Sequence, residues 1–438
     1  MKHIRNLIKQ YYYFLIISIG LLAGSSKIHA QQEEVEGDTL AQAVEKIQSE
    51  LLLMNRLKIT GYVQAQYQKA DTAGIESFAG GNFGTNLDNR FTVRRGRFKL
   101  AYTNDLSQYV IQVDVTEKGV GIKDAYASFT DPWLQTASFT GGVFDRPFGY
   151  EISYSSGNRE SPERSRIYQT LFPGEREVGG KLTIMPPKTS RYYFFKIEGG
   201  LFNGSGPSAV EFDNYKDFIG HVTLFKNLMS ENVSLSGGFS YYNGGWRQNT
   251  KYFYTMNGNS IVRDSSKVGD KVKREYFGID AQVNIANNPL GITTLRGEYI
   301  QGKQPGTSTG SVSPTAQPAG DVYIRNTSGG YFYFLQNILD TPHQLVFKYD
   351  WYDPNTKVSG NQIGAPGSLT NAADVKYSTI GLGWVYRWNS HVKITAYYDI
   401  VKNETSDAPA AIESNNTLKT WAKDRKDNVF TLRIQYKF

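Results

Sequence analysis

The closing residues of the chain alternate without a break, with Phe430, Leu432, Ile434, Tyr436 and Phe438 on one parity and Thr431, Arg433, Gln435 and Lys437 on the other. A strand turns successive side chains to opposite faces, so this segment has one apolar face and one polar face. Val392, Ile394, Ala396, Tyr398 and Ile400 alternate with Lys393, Thr395, Tyr397 and Asp399 in the same way. Leu345, Phe347, Tyr349 and Trp351 likewise alternate with Gln344, Val346, Lys348 and Asp350. One face suits lipid and the other suits water, the pattern of a transmembrane β-barrel. Closure removes the unpaired sheet edges that hydrocarbon would not tolerate.

Reading the chain onward from residue 57 with the same period predicts sixteen strands. They fall near 57–69, 90–104, 107–117, 121–130, 136–146, 176–186, 190–203 and 216–226, then 231–245, 273–287, 289–302, 327–337, 343–352, 375–388, 390–403 and 427–438. Connection lengths test this independently, because outer-membrane barrels have short turns on one side and long loops on the other. The connections at 70–89, 147–175, 204–215, 246–272, 303–326, 353–374 and 404–426 are long, those between them are short, and the second outer loop near 118–120 is the exception. The predicted fold class is therefore all-β, a sixteen-stranded antiparallel transmembrane barrel over residues 58–438. A soluble propeller or sandwich is the competing all-β reading, but it would not explain loops that alternate in length.

The first thirty residues read as an export signal. Lys2, Arg5 and Lys9 precede the apolar run at 11–24, and Ile28-His29-Ala30 sets a small residue before Gln31. That run is too short for the roughly 20 residues of a spanning helix, so cleavage near Ala30 is expected, with the mature chain in the outer membrane of a Gram-negative bacterium. The whole-chain charge is +7, and losing Lys2, Arg5, Lys9 and Lys27 would leave +3. The chain has no Cys, which excludes disulfides, thiolate metal sites and a lipidated cysteine. Within a segment at 31–57, Leu40, Val44, Ile47, Leu51 and Met54 follow the spacing of a heptad seam. They predict a short periplasmic helix over 38–57, either a coiled coil on an oligomer or an amphipathic helix on the rim.

The candidate chemistry lies on the polar face and in one loop. On the second strand Arg95, Arg97 and Lys99 share a parity opposite Phe98, Leu100 and Tyr102. An Arg facing lipid at the midplane costs roughly 2–4 kcal/mol, so this row is expected to face the lumen, with Asp114 on the next strand as a partner. Guanidinium groups replace part of an anion's hydration shell by bidentate contacts, the physical basis of an anion-preferring pore. The third outer loop, 147–175, is expected to fold inward as a constriction. It carries Arg159, Arg164 and Arg166 against Glu151, Glu160, Glu163 and Glu175, with Ser155, Ser156 and Ser161 as hydroxyl donors.

Several segments resemble the phosphate-selective porin O and P family. They are Arg94-Arg95 before Phe98, the run Ile122 to Tyr126, the run Gly142 to Glu151, Ser155-Ser156, Glu163-Arg164-Ser165 and the terminal run Leu432 to Phe438. The resemblance implies a trimeric sixteen-stranded barrel that passes phosphate or pyrophosphate, and it makes Arg94 and Arg95 the first-choice anion contacts. It departs at Thr60-Gly61-Tyr62-Val63-Gln64, where phosphate-binding members carry an arginine in place of Tyr62. The expected partners are small anionic solutes such as phosphate, outer-membrane lipid and two further copies of the chain, with no nucleic acid.

Two other readings stand beside an anion pore. A lipid hydrolase would need a nucleophile and a base, yet mature histidines are limited to His221, His343 and His391, and no Gly-x-Ser-x-Gly elbow is present. No His or carboxylate spacing suggests a metal, and no cofactor is expected. A general or oligosaccharide-passing porin without anion selectivity would use lumen rings, for which Tyr62, Tyr126 and Tyr397 are candidates. Gly199-Gly200, Gly237-Gly238 and Gly329-Gly330 lie in predicted strands and read as bends or close packing.

Overall fold

The computed structural model describes residues 44–46, 54, 56–117, 119–207, 210–228, 232–286, 289–406 and 416–438. The chain divides into two units, Met1–Asn55 and Arg56–Phe438, and the second contains every strand. The expected leader and most of the expected helix at 38–57 lie outside the described residues.

The strands in chain order are β1 (Leu57–Ala70), β2 (Asn89–Asn104), β3 (Ser107–Thr116), β4 (Gly119–Thr130), β5 (Ala137–Asp145), β6 (Arg176–Ile184), β7 (Phe195–Phe202), β8 (Asp217–Leu228) and β9 (Val233–Arg247). A loop hairpin follows, β10 (Tyr252–Asn257) and β11 (Ser260–Ser265). The series then continues with β12 (Lys271–Ile285), β13 (Thr293–Gly306), β14 (Val322–Asn337), β15 (His343–Asp353), β16 (Tyr377–Arg387), β17 (Val392–Asn403) and β18 (Val429–Lys437). Sixteen of them form a closed antiparallel barrel, in which β9 pairs with β12 and β18 returns to β1 with Tyr62 opposite Lys437.

The hairpin is an addition to the sequence reading. Gly258 has φ +61° between Asn257 and Asn259, which suits a two-residue turn, and β10 then lies parallel to the start of β14 with Phe253 opposite Val322. β7 starts five residues later than expected. Pro186 and Pro187 cannot donate to a ladder, and two turns follow, from Ser190 N to Pro187 O and from Tyr193 N to Ser190 O.

The outer wall is the apolar parity. Phe98, Ile111, Phe129, Phe139, Leu201, Ile279, Leu382 and Ile434 are exposed on it, an apolar surface of the kind a bilayer covers. Rings gather toward the short-turn rim, where Trp384 and Tyr386 stack at 5.8 Å. One rim turn is held by Asp131, whose carboxylate accepts N–H bonds from Leu134, Gln135, Thr136 and Ala137. Those donors, Ala137 first, hold this exposed carboxyl down at about 2.

The core sits inside the barrel and is supplied by the loop between β5 and β6, hereafter the inward loop. Its Phe148, Ile152, Tyr168, Leu171 and Phe172 are buried against Phe202, Ile219, Tyr242, Tyr276, Ile300 and Tyr331 of the wall. Tyr168 and Leu171 belong to a short helix, α1 (Arg166–Leu171). Two wall glycines make room, as sequence reasoning expected for Gly329. A Cβ on Gly278 would stand 2.9 Å from the Phe148 ring, and one on Gly329 would stand 2.9 Å from Ile167 Cδ1.

Candidate functional site

The inward loop crosses the lumen and is fastened to opposite walls. On one side Glu163 receives Arg94 Nε and Nη2, each at 2.9 Å, Arg95 Nη2 at 2.8 Å and Arg433 Nη2 at 2.8 Å. On the other, Arg296 pairs with Glu160 at 3.3 Å, and the Ser161 and Tyr333 hydroxyls meet at 2.6 Å. Glu298 of β13 accepts the backbone N–H of Tyr150 and of Glu151, at 2.5 and 2.7 Å, and the Tyr168 hydroxyl. At the closure seam, Gln435 and Lys393 both donate to Gly157 O at 2.9 Å.

Two β-bulges aim the wall residues that hold this loop. In a regular strand consecutive residues face opposite sides, so Arg94 and Arg95 would not both reach the lumen. The β1–β2 register slips between Gln64 and Ala65, with Arg95 opposite Gln64 and Val93 opposite Ala65, so Arg94 is the extra residue and turns inward beside Arg95. A second slip between Gln112 and Val113 makes Lys123 the extra residue of β4. Lys123 then meets Glu175 at 2.8 Å, while Asp124 takes Arg176 at 2.7 Å. Sequence parity could not show either pairing, since a bulge is a property of two strands in register.

The remaining predicted residues divide by environment. Arg97 donates to Asp114 at 3.1 Å, as anticipated, and to Ser156 Oγ at 2.8 Å. Lys99 lines an open cavity of about 500 Å³ beneath the loop. The loop arginines belong to the loop's own framework. Arg159 donates to the carbonyls of Ser161 and Pro162, and Arg164 to those of Glu151, Ile152 and Tyr154 and to Glu175. Arg166 lies between the rings of Phe78 and Tyr377, 4.3 and 3.9 Å from their centroids. The three tyrosines considered as a sugar track do not line up: Tyr62 bonds to Ser156 at 2.7 Å, Tyr126 meets Phe144 edge-on, and Tyr397 is buried against Gly381 and Gly383.

One group was missed. Lys58, Lys437, Lys393 and Arg387 join Lys99 along five consecutive wall strands, β16, β17, β18, β1 and β2, around two cavities that share Tyr154, Gly157, Asn158 and Lys437. Lys393 and Arg387 are directly opposite each other, an arrangement of like charges that destabilises a strand pair unless an anion intervenes. Among the described residues none of these five cations has an ion-pair partner, and this vestibule lies at the short-turn end of the barrel. The signal was present as cations on the polar parity of β1, β17 and β18. What was absent was the knowledge that closure sets the two ends of the barrel sequence side by side.

His221 faces the lumen as expected and bonds to Asp280 at 2.9 Å. His343 and His391 sit at the short-turn rim, where His343 stacks on Trp384 and Tyr386. Among the described residues no group of three or more His, Asp or Glu is placed to hold a metal.

Compared with solved structures, the chain is similar to the anion-selective porin from Comamonas acidovorans, at 12% identity and a TM-score of 0.51, covering 87% of this chain and 99% of that one. It is similar also to the outer membrane channel DcaP of Acinetobacter baumannii, at 11% identity and a TM-score of 0.50, covering 87% and 97%. No family model matches the chain, and no curated protein sequence does. The likeness shows the fold. With the apolar outer wall and polar lumen, it defines the class: an outer-membrane β-barrel of the porin type.

Proposed function

We propose that the protein is a passive diffusion channel of the outer membrane that prefers small anions, phosphate among them, and that it works as a homotrimer. The observation that carries this reading is the vestibule cations Lys58, Lys99, Arg387, Lys393 and Lys437, which have no carboxylate partner among the described residues. An anion entering there exchanges part of its hydration for ammonium and guanidinium donors, with no covalent step. Arg97 and Lys99 carry the row from the vestibule toward the loop. Arg94 and Arg95 share one carboxylate with Arg433, so that cluster retains an excess of positive charge toward the passage. Arg159, Arg164 and Arg166 fix the shape of the constriction. The neighbour named as an anion-selective porin supports the direction of the preference. Tyr62, bonded to the loop where the resembling family has an arginine, favours a general anion path over a strict phosphate site.

The test is the reversal potential of single channels in a planar bilayer under a potassium chloride gradient, repeated with phosphate and with R97Q/K99Q. A potential of anion sign that moves toward zero in the variant is the expected result. A potential at zero or of cation sign in the parent protein would overturn the preference.

A further inference from the structure

The outer wall carries a charge at one place where the rest of it carries none. Among the described side chains that the sixteen wall strands turn toward lipid in their short-turn halves, Lys226 of β8 is the one Lys, Arg, Asp or Glu. Its parity is that of Val222 and Leu224, both exposed on the lipid face, and it stands directly opposite Leu235 of β9. Lys226 is itself exposed, and among the described residues it has no ion-pair partner. Next to it, toward the midplane, the wall is dented. Leu224 stands opposite Gly237, and a Cβ built on Gly237 would meet only Asp280 O within 4 Å, at 3.3 Å, so no side chain occupies that position. Phe194, Leu224 and Leu235 wall a groove of about 550 Å³ over Gly237, with Lys226 at its short-turn end.

We propose that this groove is a binding site for a glycerophospholipid of the inner leaflet, with an acyl chain in the groove and the phosphate on the Lys226 ammonium. An apolar trough takes hydrocarbon and a cation at its end takes an anion, so the occupant is an amphiphile whose charge lies on the short-turn side. β8 ends at Leu228, two residues beyond Lys226, which sets the ammonium at the interface, where a lipid-facing cation is tolerated as it is not at the midplane. Above the groove Val222 and Gly220 continue the lipid face of β8. From Lys226 to Gly220, at about 3.3 Å per residue and a tilt of about 40°, the strand climbs about 15 Å, half of a hydrocarbon core of about 30 Å. One leaflet's acyl chain has that reach. A second copy of the chain is the competing occupant and fits less well. At this depth its own lipid-facing strands offer no carboxylate among the described residues, so it would cover the ammonium without pairing it.

The experiment is native mass spectrometry of the detergent-solubilised protein titrated with phosphatidylglycerol and, separately, with phosphatidylethanolamine, whose own ammonium competes with Lys226 for the phosphate. The parent protein is expected to retain one phosphatidylglycerol per chain and to hold it about fivefold more tightly than phosphatidylethanolamine, the effect of one lysine beside an anionic headgroup. K226Q should weaken the retention of phosphatidylglycerol about fivefold and remove the preference. G237L, which fills the groove, should abolish retention of that lipid while the barrel stays folded by its heat-modifiable migration. Equal retention in the parent protein and K226Q overturns the proposal. So does a G237L protein that keeps the lipid and loses its oligomer, because a second copy would then be what covers the groove. If G237L folds poorly, K226Q decides alone, since Lys226 has no ion-pair partner among the described residues whose loss could unfold the barrel.

Discussion

Replacing Glu163 by Gln removes one charge from the point where the inward loop meets β2 and β18. Its carboxylate takes four hydrogen bonds of 2.8 to 2.9 Å from Arg94, Arg95 and Arg433, and a weaker fifth from Arg95 Nη1 at 3.4 Å. With charge centres roughly 4 Å apart and an effective dielectric constant of about 20, each pair is worth about 4 kcal/mol before costs. Mutual repulsion of the three guanidiniums and desolvation offset much of that. Removing one partner of such a buried cluster costs about 3–5 kcal/mol. The loss falls on docking of the loop and leaves the strand ladders intact. Since about 1.4 kcal/mol is tenfold, amide exchange over residues 155–165 in the detergent-solubilised protein should quicken by roughly 10²- to 4 × 10³-fold, while strand amides keep their protection. Single-channel conductance should rise in the same variant, because the loop no longer holds one position in the lumen. E163Q with both exchange and conductance unchanged would show that this cluster does not hold the loop, and the reasoning would fail.

Two further outcomes are expected. E298A removes the acceptor for Tyr150 N, Glu151 N and the Tyr168 hydroxyl, and should loosen residues 148–152 by about 3 kcal/mol, read as faster amide exchange there. G381A should lower the yield of heat-modifiable folded barrel, because a Cβ at 381 meets the Tyr397 hydroxyl and overpacking costs about 1–3 kcal/mol; Y397F in the same chain should restore part of it, and equal yields in the two variants would refute the account.

The barrel was legible in the sequence because alternation is local. Each strand declares its two faces in its own residues, as 430–438 does, and the long and short connections follow from chain direction. All sixteen wall strands were anticipated on that ground, and the inner parity placed Arg95, Arg97 and Lys99 correctly. The extra hairpin was missed because a loop strand pairs by opportunity, here with the edge of β14, and leaves only a turn signal at Asn257-Gly258-Asn259.

What tertiary structure alone decided is where the charges meet. The sequence determined a closed barrel with cations on its water-facing parity and a charged third loop. It could not determine that a bulge turns Arg94 inward beside Arg95, because a register slip depends on the partner strand. Nor could it determine that Glu163 and Arg433, separated by 270 residues, share one salt-bridge cluster. Lys58 and Lys437 sit on adjacent strands for the same reason: closure joins β1 to β18, and hydrogen bonds across that seam make neighbours of the residues farthest apart in the barrel sequence.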